Sequence, residues 1–314
     1  MTRKRIILTV VITAFVIACS PKTLIVRQMT EMVENGVTAF ERDSDLDLTE
    51  KAIPANIKLM EAMLANSPDD RRLTTLIARM YGSYGFGFLE TRLESVIYAD
   101  PDQEPNEPDI DALKDQLNHT YEKGMAYAMD ALELSVPRAR TALAKVTTID
   151  PYLEQLDKDD VAPLFWYGFN LGAWVNRNLD SIRAVSRAHV ARKVMERVIE
   201  LDPAYNTGGA HLFLLAYFGS RPPMMGGSQE KAGDHYRQLQ QIAGEDYLLA
   251  DLFYGRFCLY QQQDRDGFVT LMQRIAEYPV KDGDLALYNA IAVRRAGIYL
   301  GAVDTFFESG NVLP

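Results

Sequence analysis

One cysteine in this sequence stands where a defined covalent reaction would use it. Residues 1–5 carry three basic side chains, residues 6–18 form an apolar run, and Cys19 follows. A basic start, an apolar run shorter than the roughly 20 residues that span a bilayer, and a small residue before the cut are the parts of a secretory signal. The segment Val16-Ile17-Ala18-Cys19 resembles a bacterial lipobox, in which the cysteine thiol is acylated and becomes the new N-terminus. We therefore predict a signal peptide over residues 1–18 and lipid attachment at Cys19; an ordinary signal with an incidental cysteine, or a short anchor, is the alternative.

The charge of the mature chain bears on its partners. Residues 1–18 hold three basic and no acidic side chains, so their removal would take the formal net charge from −10 to −13. An acidic chain repels nucleic acid and anionic lipid, so we predict no nucleic-acid partner and membrane attachment through acyl chains. Ser20, rather than an aspartate, follows the cysteine, which favours the periplasmic face of the outer membrane over the inner membrane. Cys258 is left without a disulfide partner and is predicted to be a buried thiol.

Residue patterns that carry catalysis or hold metals are not found in the sequence. The four histidines form no H-E-x-x-H pair and no Cys/His zinc spacing: His119, His189, His211 and His235. No G-x-S-x-G elbow occurs, and the glycine-rich segment 82–87 lacks the Lys-Ser/Thr ending of a phosphate-binding loop. We predict close helix packing for that segment, and no enzymatic activity, metal or cofactor for the chain; a hydrolase-like periplasmic enzyme is the least favoured alternative.

A segment rich in proline and glycine, residues 219–228, is the first candidate recognition surface. Two prolines stiffen it, two glycines allow a sharp turn, and Arg221, Met224 and Met225 could contact a partner or ligand. The alternative is a long turn between helices whose methionines tuck into the core.

An aromatic cluster is the second candidate. Trp166, Tyr167 and Trp174 lie in a stretch that also contains Phe165 and Phe169. Such side chains could line an apolar groove for a small organic ligand, and plain packing between helices is the alternative.

The elements that must position these residues are predicted to be helices. Ile53, Ile57, Met60 and Leu64 recur at spacings of three and four, which places them on one helix face, and no useful strand alternation occurs. We predict residues 19–48 to be a lipidated tether and approach helix and residues 49–314 to be a helical-repeat domain. Residues 100–110, with three prolines and five acids, are predicted to be a solvated loop inserted in this domain, or else a linker between two domains.

Degenerate repeats set the predicted fold class. Ala191, Met195 and Val198, followed by Pro203, match the second helix and closing proline of a 34-residue tetratricopeptide unit. The fold is therefore predicted to be all-α, a degenerate tetratricopeptide-like array of stacked helices, with a generic helical bundle as the alternative. The last helix, from residue 284 to about 306, is predicted to be a terminal cap, with Arg294 and Arg295 facing away from its apolar side.

Four segments together resemble one known family, the tetratricopeptide lipoproteins associated with TRAP transporters, called T components. The segments are residues 52–69, the glycine-rich 81–88, residues 208–227 with Arg-Pro followed by Met-Gly-Gly, and residues 290–296. The resemblance covers residues 49–308, and residues 208–227 are its most specific part.

This resemblance implies a periplasm-facing lipoprotein of stacked helices whose expected partner is the substrate-binding P component of a tripartite ATP-independent periplasmic transporter. Such systems import small organic molecules, so a small apolar or organic ligand is a second expected partner, and a homo-oligomer is a further possibility. An outer-membrane-linked helical-repeat scaffold for protein assembly is the alternative function.

Overall fold

The computed structural model describes residues 21–98 and 107–307, and over these residues the chain is helical, with no β-strand. The predicted all-α fold class is confirmed. Cys19 with its lipobox, most of the predicted loop 100–110, and residues 308–314 lie outside the described residues. The α-helices are α1 (Pro21–Glu41), α2 (Leu46–Leu64), α3 (Arg71–Tyr84), α4 (Glu90–Ile97), α5 (Glu107–Ser135), α6 (Ala139–Ala142), α7 (Val146–Leu153), α8 (Val161–Arg177), α9 (Ile182–Val185), α10 (Ala188–Leu201), α11 (Tyr205–Gly219), α12 (Gln229–Ala243), α13 (Leu248–Tyr254), α14 (Arg265–Ala276), α15 (Ala286–Gly301) and α16 (Val303–Phe307).

Polar residues just before several helices fix where those helices begin. Asp45, Asp70, Ser228 and Asp264 each accept a hydrogen bond from the backbone N–H three residues further on, at 3.0 to 3.2 Å. Such N-caps satisfy donors that the first helical turn leaves without partners. The short loops between the capped helices bring chain neighbours together, with α2 on α3 and α11 on α12.

The small and apolar positions of the predicted repeats lie where helices pack. Ala191, Met195 and Val198 of α10 are buried against α8 and α11, and Ile77 and Ala78 of α3 are also fully buried. The array therefore buries its core between successive hairpins, as stacked helical repeats do.

Two π-helical segments interrupt the array at matching places. Residues Gly85–Leu89 follow α3 directly, and Gly255–Leu259 follow α13 directly. Each begins at the glycine of a Tyr-Gly pair, and the two glycines are 170 residues apart, five times the 34-residue repeat length. A Cβ at Gly85 would lie 2.7 Å from the Tyr121 ring, and a Cβ at Gly255 would lie 2.3 Å from Met272 Cε. Close helix packing thus accounts for the glycine-rich segment, as predicted.

The last long helix closes the array instead of capping it. Helix α15 packs against α1, α2 and α4 as well as against α13 and α14. The prediction that Arg295 faces outward is wrong, because this side chain is 5% exposed and its guanidinium holds the Glu94 carboxylate of α4 at 2.5 and 2.8 Å. Arg294 does face solvent and pairs with Asp47 at 2.9 Å. Buried charges of opposite sign therefore join the two ends of the described chain.

Candidate functional site

A cavity lies among the helices of the described chain, lined by residues from its first helix to its last long helix. Its interior comes to about 710 Å³ with the open mouth included, of which about 50 Å³ admits the centre of a water molecule. This space is narrow, so a small organic ligand requires side chains to move apart. The lining is Val37, Phe40, Glu41, Ile53, Met80, Ser83, Phe86, Phe165, Trp166, Phe169, Asn206, Gly209, Leu212, Tyr247, Leu249, Leu287, Tyr288 and Ile291.

Helix α8 supplies the aromatic wall of this cavity. Phe165, Trp166 and Phe169 share one face of the helix and form edge-to-face or tilted contacts, with ring centroids 4.9 to 5.9 Å apart. Side chains one and four positions along from Phe165 fall on the same side of a helix, which explains this grouping. Phe86, at the start of the first π-helical segment, meets Phe169 edge to face at 5.8 Å.

The other two predicted groove residues point away from the cavity. The Tyr167 hydroxyl accepts a hydrogen bond from Arg187 Nη2 at 2.6 Å, on another side of α8. Trp174 packs between the main core and a smaller apolar cluster that contains Leu89 and Leu117, and it is not part of the cavity lining. The cavity lining therefore includes Trp166 and excludes Tyr167 and Trp174, because Tyr167 lies on another side of α8 and Trp174 lies eight residues, about 12 Å, further along the helix axis.

Polar groups occupy a few places on the otherwise apolar lining. Trp166 Nε1 donates to the Tyr205 hydroxyl at 3.2 Å, and the Tyr288 hydroxyl donates to Asn206 Oδ1 at 3.3 Å. Asn206 reaches this position because it and the next two residues have positive φ angles, from 51° to 72°, inside α11. The Glu41 carboxylate is paired with Arg79, whose guanidinium also lies 6.0 Å from the Trp166 ring centroid.

The charge state of these polar groups is set by burial. Burial, with a smaller effect of the nearby Glu41 carboxylate, raises the pKa of Tyr288 well above its usual value. Burial opposes the charge of Arg79, but Glu41 outweighs it and the pKa of Arg79 is raised. The phenol and the guanidinium both stay protonated at neutral pH, so neither acts as a proton carrier there. The cavity is suited to holding a ligand by shape and ring contact, with few polar groups to orient it.

The loop singled out in the sequence is held by backbone hydrogen bonds at both ends, and its methionines are exposed. Met225 N donates to Pro222 O at 2.9 Å, and Ser228 N donates to Phe218 O at 2.9 Å, so both ends of the turn are fixed. Met224 is 92% exposed and Met225 is 54% exposed, so neither tucks into the core.

Arg221, by contrast, is folded back on the last turn of α11, the helix that precedes it. Its Nη1 donates to Tyr217 O at 3.0 Å, and its guanidinium carbon lies 4.0 Å from the Tyr217 ring centroid. Burial lowers the pKa of Arg221. The exposed tip of the loop is therefore the methionine pair, with Arg221 bracing its base.

Sequence reasoning missed a pair of imidazoles, of which His211 is buried and His235 is half-buried. His211 Nδ1 of α11 and His235 Nδ1 of α12 are 2.9 Å apart, and the Phe218 ring stacks on His235 at 5.7 Å. Burial lowers the pKa of both rings, that of His235 to about 4. Because the two residues are 24 positions apart on different helices, no local spacing signals the pair. Among the described residues no cluster of three or more His, Cys, Asp or Glu could hold a metal ion.

The comparison with known families decides where this helical array belongs. A model of the TRAP transporter T-component family matches residues 42–307, nearly all of the described chain. The chain belongs to the TRAP transporter T-component family. A protein of Treponema pallidum (strain Nichols), described as uncharacterized, is 26% identical to this T component over 241 residues, which is 75% of this chain and 72% of that protein.

Membership of the family implies an accessory role in a TRAP transporter. The matched range contains every cavity-lining residue from Ile53 onward and the whole methionine loop. Within the described residues of this T component, no helix has the length and apolar character needed to cross a bilayer.

Proposed function

We propose that this T component is a periplasm-facing lipoprotein, anchored through Cys19 at the outer membrane, that binds the substrate-binding P component of a TRAP transporter and a small organic ligand. The proposal is carried by the family match over residues 42–307 together with the aromatic cavity among the matched helices. Binding would depend on shape complementarity, with no bond made or broken. The protein would then hold or hand over a ligand beside the P component.

The surface proposed for the P component is the loop tip formed by Met224 and Met225. Two exposed methionines on a turn held at both ends offer apolar contact area at little cost in backbone order. The loop is also outside the cavity lining, so partner binding and ligand binding can be tested separately.

The chain offers a built-in reporter for the ligand. Its two tryptophans are Trp166, which lines the cavity, and Trp174, which does not. In a Trp174→Phe variant, the emission of Trp166 should change on titration with alkyl or aryl carboxylic acids of a graded panel. The matched variant Trp166→Phe, which reports from Trp174, should not respond to the same acids.

A cavity-filling substitution makes the ligand test sharper. Ser83 lines the cavity, and Ser83→Phe should occupy the narrow space and weaken binding at least about tenfold, whereas Ser83→Ala should not. If no compound of the panel changes the Trp166 signal, or if Ser83→Phe leaves affinity unchanged, the cavity is not the ligand site.

The partner test uses the full-length lipoprotein and the P component encoded with the same transporter. Met224→Ser with Met225→Ser should lower affinity at least about tenfold by calorimetry without changing the melting temperature, because both side chains are exposed. The matched control is Ile182→Ser, which is 89% exposed on α9, outside the loop. Equal affinity of the unsubstituted protein, the double methionine variant and Ile182→Ser would show that the methionine loop does not bind the P component. Capture of assembly factors in place of the P component would favour the scaffold alternative.

A further inference from the structure

Helix α1 carries an apolar stripe that faces solvent. Ile25, Met29 and Met32 are 57%, 40% and 74% exposed, and their spacing of four and three places them on one helix face. Gly36 continues the line, and a Cβ added there would meet nothing within 4 Å. These three side chains, here called the α1 stripe, are among the large apolar side chains that the described chain leaves exposed.

The rotation of α1 about its axis is fixed, so the stripe cannot turn inward. Val26, Thr30 and Val37 on the adjacent face are buried against the body. Thr30 Oγ1 donates to Asp70 Oδ2 at 3.1 Å, and Glu34 is paired with Arg72. Apolar side chains held outward in this way are unfavourable in water, so we expect a membrane or a partner molecule to cover them.

The position of the stripe along the chain indicates which occupant. Helix α1 begins at Pro21, two residues after Cys19. Two residues span at most about 7 Å, and Ile25 lies about 6 Å further along the helix axis. Ile25 therefore lies within about 15 Å of the acylated cysteine and Met32 within about 25 Å, so a helix lying along the membrane would bring the whole stripe to the lipid surface.

We propose that the α1 stripe rests in the lipid interface beside the acylated Cys19, so that α1 lies along the membrane surface. This inference rests on the acyl anchor of the proposed function. The chain is acidic, so anionic lipid headgroups do not attract it. A second contact with the membrane would therefore be apolar. Three side chains also cover far less than the roughly 1,000 Å² that a stable contact with a second copy needs.

The arrangement has a consequence for the cavity. The C-terminal part of the same helix contributes Val37, Phe40 and Glu41 to the cavity lining. A membrane-seated α1 would thus form one wall of the ligand space, at a fixed distance from the lipid.

The test places a fluorescent label on the stripe of the full-length lipoprotein in phosphatidylethanolamine and phosphatidylglycerol vesicles. Met32→Cys and the matched control Glu31→Cys, an exposed neighbour on another face, are each labelled with a nitrobenzoxadiazole maleimide. Cys258 is buried and burial raises the pKa of its thiol to about 12, so the introduced cysteine takes the label. Lipids with a shallow nitroxide should quench the label at position 32 about threefold more than the label at position 31.

Each other outcome contradicts the inference in a distinguishable way. Equal quenching at both positions in protein that floats with the vesicles leaves the anchor intact and removes the stripe contact. A disulfide-linked dimer formed through Met32→Cys assigns the stripe to a second copy. A label at position 32 that is shielded from water but not quenched assigns it to another segment of the chain. Protein that does not float with the vesicles overturns the Cys19 anchor and this inference together.

Discussion

The imidazole pair of His211 and His235 gives the fold a dependence on acidity. Burial disfavours the charged ring of His235. The charges of His211 and Lys231 add to this effect and Asp234 opposes it, so the pKa of His235 falls to about 4. In the unfolded chain each ring titrates near its ordinary value of about 6.5. The unfolded state therefore binds more protons below that pH, and stability is lost as the pH falls from about 6.5 toward 4.

We predict that lowering the pH from 7.5 to 5.5 reduces the free energy of unfolding by roughly 1 kcal/mol through His235, allowing for its partial exposure. Urea denaturation followed by circular dichroism measures this loss. His235→Gln should show a clearly smaller loss, and His119→Gln, whose side chain is exposed, should show the same loss as the unsubstituted protein. A pH dependence that His235→Gln does not alter would contradict the assignment.

At Gly85 the side chain must be a hydrogen atom, whereas at Gly36 it need not be. A methyl group at Gly85 would press on the Tyr121 ring at 2.7 Å, and one at Gly36 would enter open space. Gly85→Ala should destabilise the protein by about 1–3 kcal/mol through overpacking. Gly36→Ala should stabilise it by up to about 1 kcal/mol through helix propensity. Denaturant midpoints compare the two variants, and a neutral Gly85→Ala would mean that the π-helical segment relaxes freely.

At the scale of elements, the contact between α15 and α4 depends on buried charge. Arg295 is bound by Glu94 and lies 3.7 Å from Glu90, with the Tyr299 hydroxyl 3.1 Å from both Glu94 oxygens. The carboxylates raise the pKa of Arg295 against the effect of burial, so the guanidinium remains charged. Removing Arg295 would leave the Glu94 carboxylate buried without its bound counter-charge.

Neighbouring arginines of α15 should accordingly differ sharply in their effect on stability. Arg295→Met should lower the free energy of unfolding by about 3–5 kcal/mol, since the buried Glu94 carboxylate loses the guanidinium that is bound to it. Arg294→Met should cost less than about 1 kcal/mol, because its pair with Asp47 is exposed to solvent. Thermal and urea unfolding of the two variants measure the difference. Similar losses in both would mean that the buried pair does not hold the helix.

At the scale of the whole molecule, the contacts of α15 join the two ends of the array. Just before α15, Ser44 Oγ donates to Asp282 Oδ1 at 2.7 Å and Arg42 pairs with Asp284 at 3.2 Å, and further along the helix Arg295 binds Glu94. An open solenoid frays from its terminal repeat, because that repeat has one neighbour. A closed array has no such weak end.

Hydrogen exchange distinguishes a closed array from an open one. We predict that amides in the buried middle of α15, such as Ala292 and Ala296, exchange as slowly as those of Asn170 and Leu171 in α8. Mass spectrometry of labelled peptides measures both. Exchange of the α15 amides many times faster than those of α8 would show that the last helix opens independently, as a terminal cap does.

The sequence by itself determined the local features of this T component. The spacing of apolar residues indicates helices, and the small residues Ala191 and Gly85 indicate close contacts between helices. The family segments identify the T-component family, which implies an accessory role in a TRAP transporter. These are properties of one helix or of neighbouring helices, and they are readable because helical periodicity and repeat length are local.

The tertiary structure decided everything that joins distant positions. It placed Trp166 on the cavity and Trp174 outside it, paired His211 with His235, and buried Arg295 against a carboxylate 201 residues away. The physical reason is that the sequence pattern of a helix states which side chains share a face, but not which helix covers that face. In a stacked array the covering helix depends on how all the hairpins stack, and here α15 packs on α1, α2 and α4.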